Sequence, residues 1–151
     1  MARFNLERDI QFFKGISNEL VDSVISTAVV LYKLITNQSS TNLYGESLSK
    51  SYYDGVECYA LIDRGDTEVK YEGFGSDRNQ GVEYMFNRFK LEEINFYPEI
   101  GDIIYHNNTY FEINNIREDQ LIGGLTENNY SIVCQTFMSR RNSLQLESNN
   151  I

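Results

Sequence analysis

The segment FYPEIGDIIYHNNTYFEINNI, residues 96–116, constrains the fold more than any other part of the chain. Pro98 cannot donate a hydrogen bond to a β-ladder and Gly101 permits a sharp change of direction, so a strand is predicted to begin directly after them. Asn107 and Asn108 suit a two-residue hairpin turn, because asparagine tolerates positive φ better than most residues. The segment therefore predicts a tight β-hairpin.

The predicted register gives this hairpin two apolar faces. A two-residue turn pairs Ile103 with Glu112, Ile104 with Phe111, and Tyr105 with Tyr110. The face of Ile104 and Phe111 is a core face, whereas the opposite face, with Tyr105 and Tyr110, is also apolar. Such a hairpin either lies inside a closed, barrel-like domain or lends one face to a neighbouring subunit.

The rest of the chain predicts a mainly β protein with a helical beginning. Residues 5–25 repeat apolar side chains at helical spacing, with an expected break at Gly15 and Ser17. Residues 27–36, TAVVLYKLIT, are almost continuously apolar and rich in β-branched side chains, which predicts a buried strand. Further strands are predicted at 56–63, 65–75, 82–94 and 130–141, separated by long polar loops at 37–55 and 117–130. The segment 82–94 also fits a helical pattern.

Together these elements predict one domain over residues 1–151, a small antiparallel β-barrel or sandwich with an N-terminal helical segment and long loops. The helical part spans 1–26, the β-rich body 27–142 and the C-terminal tail 143–151. Turns are expected at Gly65-Asp66 and at 73–78. The latter, GFGSDR, lacks the third glycine and the lysine of phosphate-binding motifs.

The composition favours a packed domain that does not hold nucleic acid. Eleven tyrosines and nine phenylalanines among 151 residues can fill a core. The net charge of −9 repels phosphate, which disfavours sequence-specific nucleic-acid binding. No apolar run approaches the roughly 20 residues that span a bilayer, and the first residues lack the apolar centre of a signal peptide. We therefore expect neither membrane insertion nor export.

Few residues suggest catalysis or a cofactor. Cys58 and Cys134 lie far apart in strand-like runs, which predicts two buried thiols rather than a disulfide, and neither has the paired spacing of a zinc site. The single histidine, His106, adjoins the predicted hairpin turn. Carboxylate pairs such as Glu92-Glu93 are typical of solvated surface, because acid–base catalysis needs a pair held in a cleft. The sequence predicts a protein that is not an enzyme and has no cofactor or metal.

Three motifs occur in a characteristic order: LYGES at 43–47, Pro-x-x-Gly-Asp-Ile at 98–103 and YFEINNI at 110–116. In this order the chain resembles the neck, or head-completion, proteins of tailed bacteriophages, in particular the head–tail connectors of contractile-tailed phages. The resemblance covers roughly residues 25–142. It implies a non-enzymatic virion protein, made in the host cytoplasm, that joins the portal of the DNA-filled head to the tail and helps to retain and pass the genome.

The implied partners are further copies of the chain in a sixfold or twelvefold ring, the portal or an adjacent neck ring, and a tail-completion protein. Packaged DNA would pass through the channel without sequence-specific binding. Contacts with these partners are expected at Tyr44, Glu46, Tyr105, Tyr110, Arg140 and Arg141. Aromatic and arginine side chains dominate most interfaces, which favours these residue types. Two alternatives remain open: another virion component, such as a tail terminator or baseplate subunit, and a small-ligand binding module.

Overall fold

The computed structural model describes residues 6–20, 27–35, 40–41, 47–72, 75–121, 129–139 and 144–145. These residues contain the helices α1 (Leu6–Glu19) and α2 (Arg88–Glu93). The strands among them are β1 (Thr27–Tyr32), β2 (Ser40–Thr41), β3 (Ser47–Ser51), β4 (Val56–Glu72), β5 (Gly75–Asn87), β6 (Ile103–His106), β7 (Thr109–Leu121), β8 (Asn129–Met138) and β9 (Leu144–Gln145). The mainly β class predicted from the sequence is thus confirmed.

Six strands close into an antiparallel barrel in the order β1-β4-β5-β8-β7-β6, and β6 is hydrogen-bonded back to β1. Successive side chains of a strand point to opposite faces, so every second residue enters the barrel. The interior is filled by large buried side chains, including Leu31, Tyr84, Phe86, Ile104, Ile113 and Ile132. The short strands β2, β3 and β9 form a separate sheet. Of the predicted barrel or sandwich, the closed barrel is what the chain forms.

The predicted hairpin is confirmed in its turn and its register. Asn107 and Asn108 have φ of 50° and 58°, as a two-residue turn between β6 and β7 requires. Tyr105 lies opposite Tyr110, and the neighbouring pairs follow in the expected order. Local turn chemistry therefore set the register of the two strands.

A buried carboxylate fixes the turn that enters β6. The side chain of Asp102 is almost fully buried and accepts hydrogen bonds from Lys33 Nζ at 3.0 Å, from the Leu34 N–H at 3.0 Å and from the Glu99 N–H at 2.8 Å. The preceding residue, Gly101, has a φ of +98°, which favours glycine. The Pro-x-x-Gly-Asp motif therefore ties the start of β6 to the end of β1.

Two strand predictions are wrong in their extent. No turn occurs at Gly65-Asp66, because β4 continues through these residues with an irregular register between Arg64 and Thr67. The strand predicted over 82–94 stops at Asn87, where helix α2 begins. The Asn87 side chain accepts a hydrogen bond from the Phe89 N–H at 3.1 Å, and this cap starts the helix.

The two predicted loops are shorter than expected. The segment 37–55 contains β2 and β3, and Ser51 accepts a hydrogen bond from the Ile35 N–H at 2.8 Å. The segment 117–130 begins inside β7 and ends inside β8; its residues 122–128 lie outside the described part of the chain. Likewise, GFGSDR contributes its last four residues to β5, while residues 73–74 lie outside the described part.

The remaining predictions concern the first helix and the cysteines. Helix α1 runs without a break through Gly15 and Ser17, so the expected interruption is wrong. Cys58 and Cys134 are both buried thiols, as predicted. Among the described helices, none is long and apolar enough to cross a membrane.

Candidate subunit interface

Aromatic side chains lie on the outer surface of the barrel where β1, β6 and β7 run side by side. Tyr105 and Tyr110 oppose each other across the hairpin, with ring centroids 4.9 Å apart. Tyr32 shares this outer face on the neighbouring strand β1, and the exposed Tyr59 follows on β4. We call Tyr32, Tyr105 and Tyr110, on the three adjacent strands β1, β6 and β7, the tyrosine face.

The hydroxyl of Tyr105 is hydrogen-bonded within the hairpin, and that of Tyr32 is partly buried. The Tyr105 hydroxyl donates to Asn108 Oδ1 at 2.9 Å. Burial, followed by the neighbouring phenols of Tyr110 and Tyr105, raises the pKa of Tyr32 above its ordinary value. Tyrosine rings suit contact with another protein, because they bury apolar area while keeping a polar tip for hydrogen bonding.

One side of the same outer surface is covered by the chain itself. Residues 50–55, which we call the strap, follow β3 and lead into β4. Lys50 at its start forms a salt bridge with Glu112 of β7, and Tyr52 within it is buried. The strap explains why Ile103, an outward-facing residue opposite Glu112, is fully buried. The tyrosine face adjoins this covered region, and the ring of its member Tyr32 packs against Gly55 of the strap.

Helix α1 is attached to the barrel through its polar edge. At the end of β5, Nδ2 of the buried Asn87 donates to Asn18 Oδ1 at 2.6 Å and to Ser17 Oγ at 3.3 Å. The Lys14 Nζ lies 4.0 Å from the centre of the Phe89 ring, a cation–π contact. The side of α1 that faces the barrel is therefore the side of Lys14, Ser17 and Asn18.

The apolar side of α1 points away from the barrel. Phe12, Ile16 and Leu20 follow one another at intervals of four residues, and Phe13 lies beside them; their exposed fractions are 64%, 47%, 45% and 46% in that order. We call these four residues the helix stripe. An amphipathic helix normally buries its apolar stripe against the core. Large apolar side chains exposed together make this side of α1 a candidate surface for contact with another molecule.

The helix stripe and the tyrosine face belong to different sides of the subunit. In the ring of six strands, β5 is three positions away from β6. The strand that holds α1 therefore lies across the barrel from β6, which carries Tyr105, and is separated by β8 from β7, which carries Tyr110. A subunit with two apolar surfaces so placed can contact one copy with each of them.

The interface residues predicted from the sequence divide into two groups. Tyr105 and Tyr110 lie together on the tyrosine face. Tyr44, Glu46, Arg140 and Arg141 lie outside the described residues. The helix stripe was not predicted as an interface, because helical periodicity identifies an apolar side but not the direction in which it points.

A pocket of about 420 Å³ lies outside β4, β5 and β8. Asp63 and Glu83, directly opposed on neighbouring strands, are among its lining residues. Both carboxylate oxygens of Glu83 are engaged, one accepting from Gln135 Nε2 at 2.7 Å and the other paired with Arg117 at 3.2 Å. In the part of the chain that is described, no group of three or more His, Cys, Asp or Glu side chains is placed to hold a metal ion. The Glu83 carboxylate in this pocket is therefore held in a hydrogen-bond network with Gln135 and Arg117.

Neither the sequence of this chain nor its fold identifies a protein family. No protein-family model matches the sequence, and a search of curated proteins finds no match. Among solved structures, a chain from the virion of a native gene transfer agent particle aligns with a TM-score of 0.48 at 11% sequence identity, over 75% of this chain and 94% of that chain. We base no argument on a match at this level.

Proposed function

We propose that this chain is a structural subunit of a phage virion and forms a ring in the neck, between the portal of the DNA-filled head and the tail. The observation that carries this proposal is a pair of apolar surfaces on different sides of a closed barrel, the exposed helix stripe and the half-buried tyrosine face. A closed ring requires two such surfaces, because each copy binds both of its neighbours. The order of the three sequence motifs, which resembles that of phage neck proteins, supports a location in the virion.

The charge of the chain supports a position beside DNA without a role in binding it. A net charge of −9 repels the phosphate backbone. In a channel lined by such subunits, packaged DNA would move past without being held. The portal or an adjacent neck ring on one side, and a tail-completion protein on the other, are the proposed neighbours.

The experiment that tests this function is a count of the chain in purified particles. Quantitative mass spectrometry against the portal subunit should give a ratio near one to one for a twelvefold ring, or one to two for a sixfold ring. Its absence from particles, or presence only in traces, would reject the virion role. A copy number outside these ratios, with electron microscopy placing the chain at the tail terminus or baseplate, would support the alternative virion components instead.

A further inference from the structure

We propose that neighbouring copies of this chain join by packing the helix stripe of one copy on the tyrosine face of the next. This inference rests on the proposed ring of identical subunits, and it names the contact that builds the ring. It assigns one occupant, a second copy, to each of the two apolar surfaces. The contact is heterologous, so each copy uses both surfaces at once.

The dimensions of the two surfaces match. The helix stripe runs from Phe12 to Leu20, and at 1.5 Å of rise per residue it is about 12 Å long. Across the barrel wall, β1 and β7 are separated by β6, and two strand spacings of roughly 4.8 Å give about 10 Å from Tyr32 to Tyr110. A helix lying across these strands therefore covers the tyrosine face with its whole stripe.

A pair of opposite charges lies beyond the apolar contact, next to the Phe12 end of the helix stripe. Arg8 lies one helical turn before Phe12, in line with Phe12 and Ile16, and its side chain is 78% exposed. On the other surface, one strand beyond β1, Glu57 of β4 is exposed and pairs across the sheet with Val30. With the Leu20 end of the stripe over β7, Arg8 reaches the strand that carries Glu57. A cation and a carboxylate at matching positions favour this direction of the helix over the reverse.

The attachment of α1 leaves its stripe available for this contact. Asn87, Asn18 and Lys14 hold the opposite side of the helix to the same subunit. The stripe and the tyrosine face of one subunit lie on different sides of one barrel and do not meet within it. The two surfaces therefore bind each other only between copies.

The test is disulfide trapping between two single-cysteine variants, Ile16→Cys and Tyr105→Cys. One variant is isotope-labelled, the two are mixed at high protein concentration, and a mild thiol oxidant is added. We expect a disulfide between labelled and unlabelled chains in the mixture, identified by mass spectrometry of the linked peptides, and little dimer from either variant alone. The double variant should form a ladder of covalent multimers. The native thiols Cys58 and Cys134 are buried, and burial raises the pKa of Cys134 to about 12, so neither competes.

The matched control places the cysteine on another side of the same helix. Gln11 is exposed and lies two turns before Asn18, on the edge that faces the barrel. Gln11→Cys mixed with Tyr105→Cys should give no more disulfide than either variant alone. Equal yields from Gln11→Cys and Ile16→Cys would overturn the proposed contact, as would covalent dimers of Ile16→Cys alone, which would show helix pairing with helix.

The copy number in particles and the cross-linking yield together separate this inference from the proposed function. If particles contain the chain at a ring ratio but the Ile16–Tyr105 pair does not cross-link, the contact is wrong and the neck role stands. If the pair cross-links but the chain is absent from particles, the contact stands and the neck role is wrong.

Discussion

Lys33 joins two carboxylates that differ sharply in burial. Its Nζ lies 3.0 Å from Asp102 Oδ2, whose side chain is 2% exposed, and 2.9 Å from Glu99 Oε2, whose side chain is 69% exposed. The same nitrogen donates to the Tyr97 carbonyl at 2.7 Å. One cation at the end of β1 thus holds the turn that leads into β6, and its two acidic partners allow a direct comparison of a buried and an exposed ion pair.

We expect Asp102→Ala to lower the free energy of unfolding by about 3 kcal/mol. The substitution removes the acceptor of the part-buried Leu34 and Glu99 N–H groups and leaves Lys33 without its buried carboxylate; an unpaired polar group costs about 1–3 kcal/mol where water does not replace the partner. Glu99→Gln should cost less than about 0.5 kcal/mol, because an exposed ion pair contributes little. Urea unfolding at pH 7 measures both; equal losses in the two variants would contradict the assigned role of Asp102.

The hairpin was predictable because its signals are local, whereas the β4–β5 pair was not. Adjacent asparagines and alternating apolar residues define β6 and β7 within 14 residues, Ile103–Ile116. At Gly65 a local turn signal is overridden, because β4 continues in register with the partner strand β5 after an irregularity. Helix α2 begins at the Asn87 cap. The strand-like alternation of residues up to Phe86 led to the prediction that the strand continues past this point. At Gly65 the pairing with β5 decided the structure, whereas at Asn87 a local helix cap ended the strand.

Two glycines should respond in opposite directions to replacement by alanine. At Gly55, in the strap, a Cβ would lie 2.5 Å from Val30 Cγ1 and 2.8 Å from the Tyr32 ring, so Gly55→Ala should destabilise the protein by about 1–3 kcal/mol. At Gly15, within α1, nothing lies within 4 Å of a Cβ, and alanine is favoured in a helix by about 0.5–1 kcal/mol. Thermal unfolding and helix content by circular dichroism check the pair. A Gly55→Ala variant as stable as the wild type would show that the strap does not pack tightly on β1.

Removing a buried hydroxyl at Tyr84 should stabilise the barrel. Tyr84 is fully buried, its ring centroid lies 5.7 Å from that of Phe111, and its hydroxyl has no hydrogen-bond partner among the residues that the structure describes. Tyr84→Phe keeps the ring and removes the unpaired oxygen, so we expect a gain of about 1 kcal/mol, or roughly 2–4 °C in Tm. Tyr105→Phe is the control, because its hydroxyl is exposed and bonded to Asn108 and its loss should not raise stability. A fall in Tm for Tyr84→Phe would refute the prediction.

His106 should make stability depend on pH below neutrality. Partial burial, followed by the nearby Arg64, lowers the pKa of His106 below its ordinary value of 6.5. The neutral imidazole is therefore favoured in the folded protein, and its contribution to stability is complete above pH 6.5. As the pH falls below 6.5, the unfolded chain takes up a proton that the folded chain resists, so stability decreases until the folded-state pKa is passed. Between pH 7.5 and 5.5 the Tm of the wild type should fall more than that of His106→Gln; parallel falls would exclude this contribution.

The candidate interface was predictable in part. Tyr105 and Tyr110 were expected to contact partners because their face of the hairpin is apolar although it lies outside the core, and the structure places them together on the tyrosine face. The outward direction of Phe12 and Ile16 follows from the attachment of the opposite helix edge to Asn87, a contact between residues 69 positions apart in the chain. The spacing of apolar residues along α1 does not indicate that contact, so it could not predict which way the helix stripe points.

The closure of the barrel limits how copies of this chain can associate. Among the described residues, each of the six barrel strands has a hydrogen-bonded neighbour on both sides where the barrel closes, so the closed part offers no open edge to an incoming strand. Beyond it, residues 67–72 of β4 and 75–80 of β5 pair only with each other. Open edges permit backbone pairing that repeats without end, which is the route to fibres and amorphous aggregates. Copies joined at the closed part of this barrel must meet through side chains, whose shapes fit only a limited set of orientations. A head-to-tail contact of this kind closes into a ring when the rotation between neighbouring copies divides a full turn, and that angle then sets the number of subunits.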